Sequence, residues 1–212
     1  MKKYKLLDKK SCVIEKSVKI GQNVVIHKGN ILKGLTVIGD NVILKENNYI
    51  CDSKIGDNSV IEYSHIESAV ICDNVKMGPF SRIRKGTYID DDCKIGNFVE
   101  VKNSYLGKGT KASHLAYIGD SDIGNNCNIG CGVVFVNYNG KEKFRSVVED
   151  NSFIGSNVNV IAPVTIRENS YVCAGTTITI DTNPYDFVIG RVREIIKPNY
   201  AKKFTKNSEK KN

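Results

Sequence analysis

The chain has 212 residues, of which 41% are hydrophobic and 25% are charged. This length and composition suit one domain with a tail, and they exclude a large multidomain machine and wholesale disorder. The net charge of +8 favours an anionic partner, but the last twelve residues carry five lysines against one glutamate and supply half of that excess. The body of the chain is therefore only modestly basic, and we expect no nucleic-acid partner.

Residues 1–11 form a lysine-containing N-terminal extension. This segment lacks the apolar stretch and the small-residue cleavage site of a secretory signal. No apolar run in the sequence approaches the roughly 20 residues that a membrane helix needs. We therefore expect a cytoplasmic protein without a membrane partner.

Residues 12–180 contain a repeat in which a large aliphatic residue recurs about every six positions, with short phase slips. A helix would give a period of 3.6 and a half-buried strand a period of 2, so neither explains a period of six. The pattern fits a short strand followed by a corner, with the aliphatic residue and a small or β-branched residue four positions later both pointing inward. Leucine-rich and pentapeptide solenoids are excluded because they do not advance by six residues.

Three such hexads close a triangular coil of about eighteen residues, and coils stack about 4.8 Å apart. The sequence therefore predicts an all-β fold, a parallel β-helix of hexapeptide repeats. Its Gly-Asp-Asn, Gly-Asn-Asn and Lys-Gly tracts provide corner residues that tolerate a left-handed backbone.

Two departures from the repeat indicate where function lies. Residues 136–146, VNYNGKEKFRS, lack the aliphatic step and must loop out of the wall with Lys141, Lys143 and Arg145. A solvated surface loop is one interpretation, but an insertion in a solenoid usually marks its binding face. The repeat ends at Asp181, so residues 181–200 are predicted to cap the last coil and residues 201–212 to form a basic, disordered tail.

Seven cysteines are scattered along the chain without a CxxC pair. Their odd number argues against a disulfide scaffold, and their spacing argues against a zinc ribbon. The three histidines, His27, His65 and His114, form no closely spaced pair that would indicate zinc. We therefore interpret the cysteines as small, reduced space-filling residues and predict no metal ligands.

Arg84 and Lys102 each follow an aliphatic residue by one position and are separated by the length of one coil. Their Cα atoms should therefore be stacked neighbours, about 5 Å apart. Two cations at that spacing repel unless an anion lies between them, and a phosphate fits this requirement. The alternative is two solvated charges that diverge into water.

His114 lies at a predicted corner, in register with Asn97 below and Cys131 above. Tyr117 stacks over Glu100 further along, so Glu100, His114 and Tyr117 are expected to cluster beside the cation pair. Histidine titrates near neutral pH and suits a general base, and a neighbouring carboxylate can orient its ring. A purely structural corner histidine is the alternative.

Several separated motifs carry a family resemblance that covers most of the chain: MGPFSRIRKG, IGNFVEVKNS, ASHLAYIGD, NIGCG, VNYNGKEKF, CAGTTIT and IGRVR. Together they resemble the acetyltransferase domain of the bacterial bifunctional N-acetylglucosamine-1-phosphate uridyltransferase/glucosamine-1-phosphate N-acetyltransferases. The resemblance implies that the β-helix is left-handed, which periodicity alone does not give. It also implies a homotrimer with sites assembled between subunits.

The resemblance further implies a role for each matching residue. His114 would be the catalytic base and Glu100 its carboxylate partner. Substrate binding would involve Arg84, Lys102, Tyr117, Asn128 and Lys143. Acetyl-CoA, the expected cosubstrate, would be held by Cys131, Asn137, Tyr138, Ser156, Ala174 and Arg191. Two positions depart from the family pattern, because Cys131 replaces an alanine and Asn139 replaces an aspartate.

The implied reaction transfers acetyl from acetyl-CoA to the 2-amino group of glucosamine 1-phosphate, for UDP-N-acetylglucosamine and cell-envelope precursor synthesis. No metal is required, because the thioester is already activated. Two alternatives stay open: acetylation of another amino sugar or UDP-amino sugar, and a non-catalytic β-helix trimer that regulates a separate nucleotidyltransferase. The family's N-terminal nucleotidyltransferase motifs have no counterpart in this sequence, so we do not expect this chain to make UDP-sugars by itself.

Overall fold

The computed structural model describes residues 4–204 and contains a β-solenoid of about 10 turns. Each turn contributes one short strand to each of three ladders, and the strands of a ladder pair in parallel with those of the turns below and above. The predicted all-β fold, a left-handed parallel β-helix, is confirmed. Residues 1–3 and 205–212 lie outside the described part, and the predicted disordered tail falls mostly there.

The three ladders define the three faces of the prism. The first ladder contains β1 (Tyr4–Leu6), β4 (Val24–Ile26), β7 (Ile43–Leu44), β10 (Val60–Ile61), β13 (Lys76–Met77), β20 (Asn128–Ile129), β23 (Phe153–Ile154), β26 (Tyr171–Val172) and β28 (Phe187–Val188). The second contains β2 (Val13–Ile14), β5 (Ile31–Lys33), β8 (Tyr49–Cys51), β11 (His65–Glu67), β14 (Arg82–Ile83), β21 (Val134–Val136), β24 (Asn159–Ile161) and β27 (Thr177–Ile178). The third contains β3 (Lys19–Ile20), β6 (Val37–Ile38), β9 (Lys54–Ile55), β12 (Val70–Ile71), β15 (Tyr88–Ile89), β17 (Tyr105–Leu106), β19 (Ser121–Ile123), β22 (Ser146–Val148) and β25 (Thr165–Ile166). Two longer strands, β16 (Lys94–Lys102) and β18 (Lys111–Gly119), continue around a corner and belong to both the first and the second ladder.

The core lies along the axis of the prism and contains the residues that the hexad pattern predicts. From Ile26 to Ile178, the repeating aliphatic residue is at most 3% exposed. The residue four positions later is buried too, as at Val42, Val75 and Val99. Burial of this apolar area drives folding at about 25 cal/mol per Å². Because the inward positions are occupied by packing residues, the side chains that can bind a ligand lie on the outside.

Asparagines form many of the corners. Asn41, Asn58 and Asn74 have φ of 57°, 58° and 59°, in the left-handed region that asparagine tolerates better than most residues. The backbone N–H of Asn58 donates to the carbonyl oxygen of Asp40 on the turn below at 2.9 Å. The corners therefore continue the interturn hydrogen bonding of the strands.

Strand pairing extends beyond residues 12–180 at both ends, because β1 pairs with β4 and β28 pairs with β26. After β28 the chain leaves the prism: Val192 is 95% exposed, and a short 3-10 helix spans Tyr200–Lys203. Within residues 4–204, no helix is long and apolar enough to cross a membrane.

All seven cysteines are free thiols. Burial raises the pKa of the Cys93 thiol to about 12 and that of Cys127 to about 11. These two thiols are therefore protonated at neutral pH and act as small core residues. Cys131, by contrast, is exposed.

Candidate functional site

Strands β16 and β18 lie on neighbouring turns and pair in register around the same corner. Their pairing aligns Asn97 with His114, Glu100 with Tyr117, and Lys102 with Gly119. At nine residues each, they are far longer than the two- and three-residue strands around them. This long pairing fixes the backbone positions of four predicted site residues: Glu100, Lys102, His114 and Tyr117.

His114 is exposed at this corner and has one clear orienting contact. Its Nδ1 lies 2.9 Å from Oδ1 of Asn97. A carbonyl oxygen can only accept a hydrogen bond, so Nδ1 carries the proton and donates it to Asn97. The Nε2 lone pair is then available to accept a proton.

Three of the residues predicted to hold a coenzyme continue this corner above His114. The register of β18 with β20, and of β20 with β23 and β26, stacks them on successive turns. We call the resulting row the corner column: Asn97, His114, Cys131, Ser156 and Ala174. The last three have small, exposed side chains, and Arg191 closes the far end by donating from Nη1 to the carbonyl oxygen of Ala174 at 3.0 Å.

An apolar strip, formed by Phe80, Phe98 and Leu115, lies immediately beside the corner column. These side chains are 54%, 57% and 57% exposed, and the rings of Phe80 and Phe98 stack at 5.5 Å. All three residues have positive φ, which costs a bulky residue about 1–2 kcal/mol. Large apolar side chains therefore adopt, at an exposed corner, a strained conformation that asparagine and glycine adopt at most other such positions among the described residues.

A cation cluster consists of Arg84 and Lys102, on the second ladder, and Lys143, in the loop after β21. Arg84 stacks against Lys102 as its spacing predicts, since its N–H donates to the carbonyl oxygen of Val101 at 2.9 Å. Its Nη1 donates to Oε1 of Glu100 at 2.8 Å. Lys143 lies close enough to Lys102 to affect its pKa. Two ammonium groups repel each other, so this arrangement favours an anion between them.

Tyr117 extends over the lysine of the turn below because Gly119 leaves room for it. A Cβ on Gly119 would collide with the hydroxyl oxygen of Tyr117. Gly119 pairs with Lys102, so the phenol lies over the Lys102 position. The glycine is required here for space, and its backbone φ is not in the left-handed region.

Asp120 is the buried centre of the polar network. The residue is only 7% exposed, and its carboxylate accepts hydrogen bonds from Lys102 Nζ (3.2 Å), Asn103 Nδ2 (2.6 Å) and Asn137 Nδ2. Burial by itself raises the pKa of Asp120, but these hydrogen bonds outweigh burial and lower it. Burial likewise lowers the pKa of Lys102, and the bond to Asp120 reverses the effect and raises it. Both groups are therefore charged at neutral pH.

Residues 137–145 form a compact hairpin between β21 and β22, and Val136 and Ser146 belong to these two strands. Tyr138 and Lys143 make an antiparallel bridge. At the tip, Oδ1 of Asn139 accepts the N–H groups of Lys141 and Glu142, both at 2.8 Å. Asparagine thus makes this turn without the carboxylate that the family resemblance leads one to expect.

Arg145 anchors the end of this loop and is not free for a ligand. Its Nε and Nη2 donate to both carboxylate oxygens of Asp122, at 2.6 and 2.5 Å. Its Nη1 donates to the carbonyl oxygen of Asn103 at 2.9 Å. The loop is therefore fixed at its start by Asn137 and at its end by Arg145.

Two predicted site residues have neighbours other than those expected. Glu100 bonds to Arg84, whereas the hydrogen bond of His114 is to Asn97, so the partnership of Glu100 with His114 stays a prediction. Asn128 lies in β20 on the first ladder, so within one chain it is on a different face from the cation cluster.

Sequence reasoning assigned no role to Asn97 and Asp120. Asn97 was visible in the sequence as the residue in register below His114. Asp120 directly follows the glycine that stacks on Lys102, and this position was the signal that could have identified it. Both lie inside motifs that carry the family resemblance, Asn97 in IGNFVEVKNS and Asp120 in ASHLAYIGD, but the resemblance gave neither of them a role.

One group within residues 4–204 has ligand atoms close enough together for a metal ion: Cys72, Asp90 and Asp91, within 4.8 Å of one another. These residues follow strands of the third ladder, away from the corner column. Exposed acidic groups are common without an ion, so we assign no role to this group.

A hexapeptide-repeat β-helix with an exposed histidine at a corner and cations beside it defines the class of hexapeptide-repeat acyltransferases. The chain belongs to the family described as the GMPPB C-terminal domain, whose model matches residues 65–179. It is 49% identical over 200 residues to the bifunctional protein GlmU of Caldicellulosiruptor saccharolyticus, and the aligned region covers 94% of this chain and 43% of that protein. It is 46% identical over 198 residues to bifunctional protein GlmU of Clostridioides difficile, with coverage of 93% and 43%.

The chain thus spans less than half the length of these relatives, and it corresponds to their C-terminal acetyltransferase part, as the sequence motifs predict. Among solved structures, the Arabidopsis UDP-N-acetylglucosamine acyltransferase superposes with a TM-score of 0.61 at 16% identity, over 84% of this chain and 69% of that one. This similarity concerns the fold alone.

Proposed function

We propose that the chain transfers the acetyl group of acetyl-CoA to the 2-amino group of glucosamine 1-phosphate. The observation that carries the proposal is the corner column, in which the candidate base His114 is followed on successive turns by Cys131, Ser156 and Ala174. Their small side chains leave an open edge for a long, slender ligand. Arg191 at the far end supplies a positive charge for the phosphates of acetyl-CoA.

The cation cluster supports a sugar phosphate as the acceptor. Arg84 and Lys102 stack on adjoining turns, and Lys143 approaches from the loop. A phosphate between these groups relieves their mutual repulsion and receives charge-assisted hydrogen bonds. The hydroxyl of Tyr117, over Lys102, is placed to contact the sugar.

The reaction follows from these positions. The amine nitrogen attacks the thioester carbonyl carbon while Nε2 of His114 accepts a proton from that nitrogen. The tetrahedral intermediate collapses, the C–S bond breaks, and the CoA thiolate leaves and takes up a proton. Asn97 holds the imidazole in the required tautomer through Nδ1. General-base assistance of this kind contributes about 10²- to 10⁴-fold to the rate.

The remaining predicted residues are assigned by the family resemblance. Glu100 supports the base or the phosphate-binding Arg84, to which it is bonded. Asn128 contacts the sugar from another subunit, since within one chain it lies on a different face. Asn137 and Tyr138 contact acetyl-CoA from the loop.

A homotrimer fits this division of the site between faces. The apolar strip beside His114 is more than half exposed in the single chain. The C-terminal segment is equally uncovered, with Ile195 84% and Ile196 82% exposed. Apolar surface of this kind beside a site favours an interface between subunits. Sedimentation velocity is expected to give three times the chain mass of 23.5 kDa.

The decisive experiment compares acceptors in an assay for CoA release. Glucosamine 1-phosphate, a UDP-amino sugar and free glucosamine are each offered with acetyl-CoA. The proposal predicts the highest kcat/KM for glucosamine 1-phosphate. Free glucosamine lacks the phosphate that the cation cluster would bind, and the UDP-amino sugar carries a nucleotide in addition. Higher kcat/KM with the UDP-amino sugar would replace the proposed acceptor.

A binding measurement separates the enzyme from a regulatory β-helix. Calorimetry with acetyl-CoA is expected to show saturable binding. If acetyl-CoA does not bind, a non-catalytic trimer that regulates a separate nucleotidyltransferase becomes the better explanation.

A further inference from the structure

Asp120 accepts hydrogen bonds from two separate parts of the proposed site. Lys102, at the end of β16, belongs to the cation cluster, whereas Asn137 begins the loop after β21. The carboxylate oxygen Oδ2 accepts from both, and Oδ1 accepts from Asn103. One buried anion therefore joins the phosphate-binding lysine to the loop that is proposed to contact acetyl-CoA.

The position of Asp120 matters for Lys102 in particular. Lys102 is more buried than Arg84, because 19% of its side chain is exposed, against 43% for Arg84. It has the ammonium of Lys143 close by. Without the carboxylate of Asp120, the Lys102 ammonium would lose the hydrogen bond that holds it in place. One of the three N–H groups of Lys102 is used by Asp120, and the other two remain for a ligand.

Asp122 provides an internal comparison. It lies two residues along in β19 and binds Arg145 with both oxygens at the other end of the same loop. Its side chain is 43% exposed, against 9% for Asp120, and it pairs with Arg145 rather than with Lys102 or Asn137. Both aspartates fix the loop, but only Asp120 also fixes the lysine.

We propose that Asp120 is a positioning residue that couples the sugar-phosphate site to the acetyl-CoA site. It holds the Lys102 ammonium in position to bind the phosphate. Through its bond to Asn137, it also holds the start of the loop against the turn that contains Asp120. This inference rests on the proposed function. It adds that a disturbance of either bond is transmitted to the other ligand.

The first test compares Asp120→Asn with Asp122→Asn in the full chain, with the KM of each substrate measured at saturation of the other. Asparagine has nearly the same shape as aspartate but no negative charge. Its NH₂ group cannot accept the hydrogen bonds that Oδ2 accepts from Lys102 and Asn137. Asp120→Asn is expected to raise both KM values about tenfold or more, with a smaller change in kcat. Asp122→Asn is expected to raise the KM for acetyl-CoA alone. Equal effects of the two variants on the KM for glucosamine 1-phosphate would overturn the inference.

A second test does not depend on the folding of Asp120→Asn. Lys102→Met removes one donor from Asp120, and calorimetry then measures acetyl-CoA affinity without any sugar phosphate. Coupling predicts that acetyl-CoA binds about fivefold more weakly than to the unaltered chain. Unchanged affinity would show that Asp120 acts on the two sites independently and would overturn the coupling.

The unaltered chain distinguishes failure of this inference from failure of the proposed function. If it releases CoA with glucosamine 1-phosphate and Lys102→Met binds acetyl-CoA normally, only the coupling fails. If the unaltered chain neither binds nor turns over these substrates, the proposed function fails and the coupling with it.

Discussion

The corner column and the cation cluster are built in different ways. The corner column follows from register alone: His114 bonds to Asn97, and the side chains above it are small and exposed. The cation cluster is held by an ion pair, by a buried carboxylate and by a loop that is bonded at both ends. The corner column is therefore an exposed row of side chains, whereas the side chains of the cation cluster are held in place by their neighbours.

The difference shows what a repeat supplies and what it does not. Stacking of identical turns gives an aligned row of side chains at about 4.8 Å, which suits a long ligand that lies along the prism. A compact phosphate instead needs several cations at one place, and like charges on successive turns repel. The insertion at 136–146 and the buried Asp120 provide the additional contacts that keep those cations together.

The largest expected effect is on the corner column. His114→Ala is expected to lower kcat by about 10²- to 10⁴-fold because the general base is lost. The thermal midpoint should stay unchanged, since the imidazole is exposed. His27→Ala is the matched control, because His27 also bonds to a side chain of the next turn, Glu46, but far from the site. Near-normal turnover by His114→Ala would remove the corner column from the chemistry.

The next effect is on stability and belongs to the cation cluster. Asp120→Asn should lower the free energy of unfolding at pH 7 by about 2 kcal/mol, because the variant loses charged hydrogen bonds in a buried place. Asp122→Asn, at a half-exposed pair, should cost less than about 1 kcal/mol. Chemical denaturation of both variants measures the two values, and equal losses would contradict the distinction between them.

The pH dependence of that loss has a definite sign. The pKa of Asp120 is lowered in the folded chain, so its ionised form stabilises the fold above the usual carboxyl range, near pH 4. This contribution disappears as the pH falls through the lowered pKa. The difference between the unaltered chain and Asp120→Asn should therefore shrink below about pH 4, and a constant difference down to pH 2 would be inconsistent with it.

A smaller effect is expected from Gly119→Ala. The new Cβ displaces the hydroxyl of Tyr117 from its place over Lys102, so the KM for glucosamine 1-phosphate should rise about tenfold, equal to about 1.4 kcal/mol. Adding Tyr117→Ala should restore the thermal midpoint that the single variant loses. If the double variant is no more stable, the collision is not the cause.

The smallest effect sharpens the role of Asn97. Asn97→Asp places a negative charge beside Nδ1 of His114 and favours the protonated ring, which cannot act as a base. The acid limb of the kcat/KM profile should move up by about one pH unit. Asn97→Ala serves as control, with a lower rate but no such movement. An unmoved acid limb in Asn97→Asp would show that Asn97 is not in electrostatic contact with the base.

The architecture was predictable because a period of six constrains every inward position. The buried positions of Ile83, Val101 and Ile118 follow from spacing, and so does the stacking of Arg84 on Lys102. Each of these features depends on backbone register, which the repeat determines.

The hydrogen bonds of the site were less predictable, because outward side chains on adjoining turns have more than one partner within reach. Glu100 can extend towards the turn above or the turn below, and the charge-assisted bond to Arg84 prevails. Asp120 accepts a hydrogen bond from Asn137, which begins a loop whose path the repeat does not describe. Sequence spacing therefore predicted the positions of these residues but not their contacts.

The corner column also acts as a length gauge. Arg191 lies four turns above His114. Because each turn rises by about 4.8 Å, the two residues are separated by about 19 Å along the axis. Point substitutions leave this interval unchanged, whereas insertion or deletion of an entire turn would alter it by one fixed increment. A protein of this kind that binds a longer or shorter cosubstrate between these two residues would therefore need one more or one fewer turn of the β-helix.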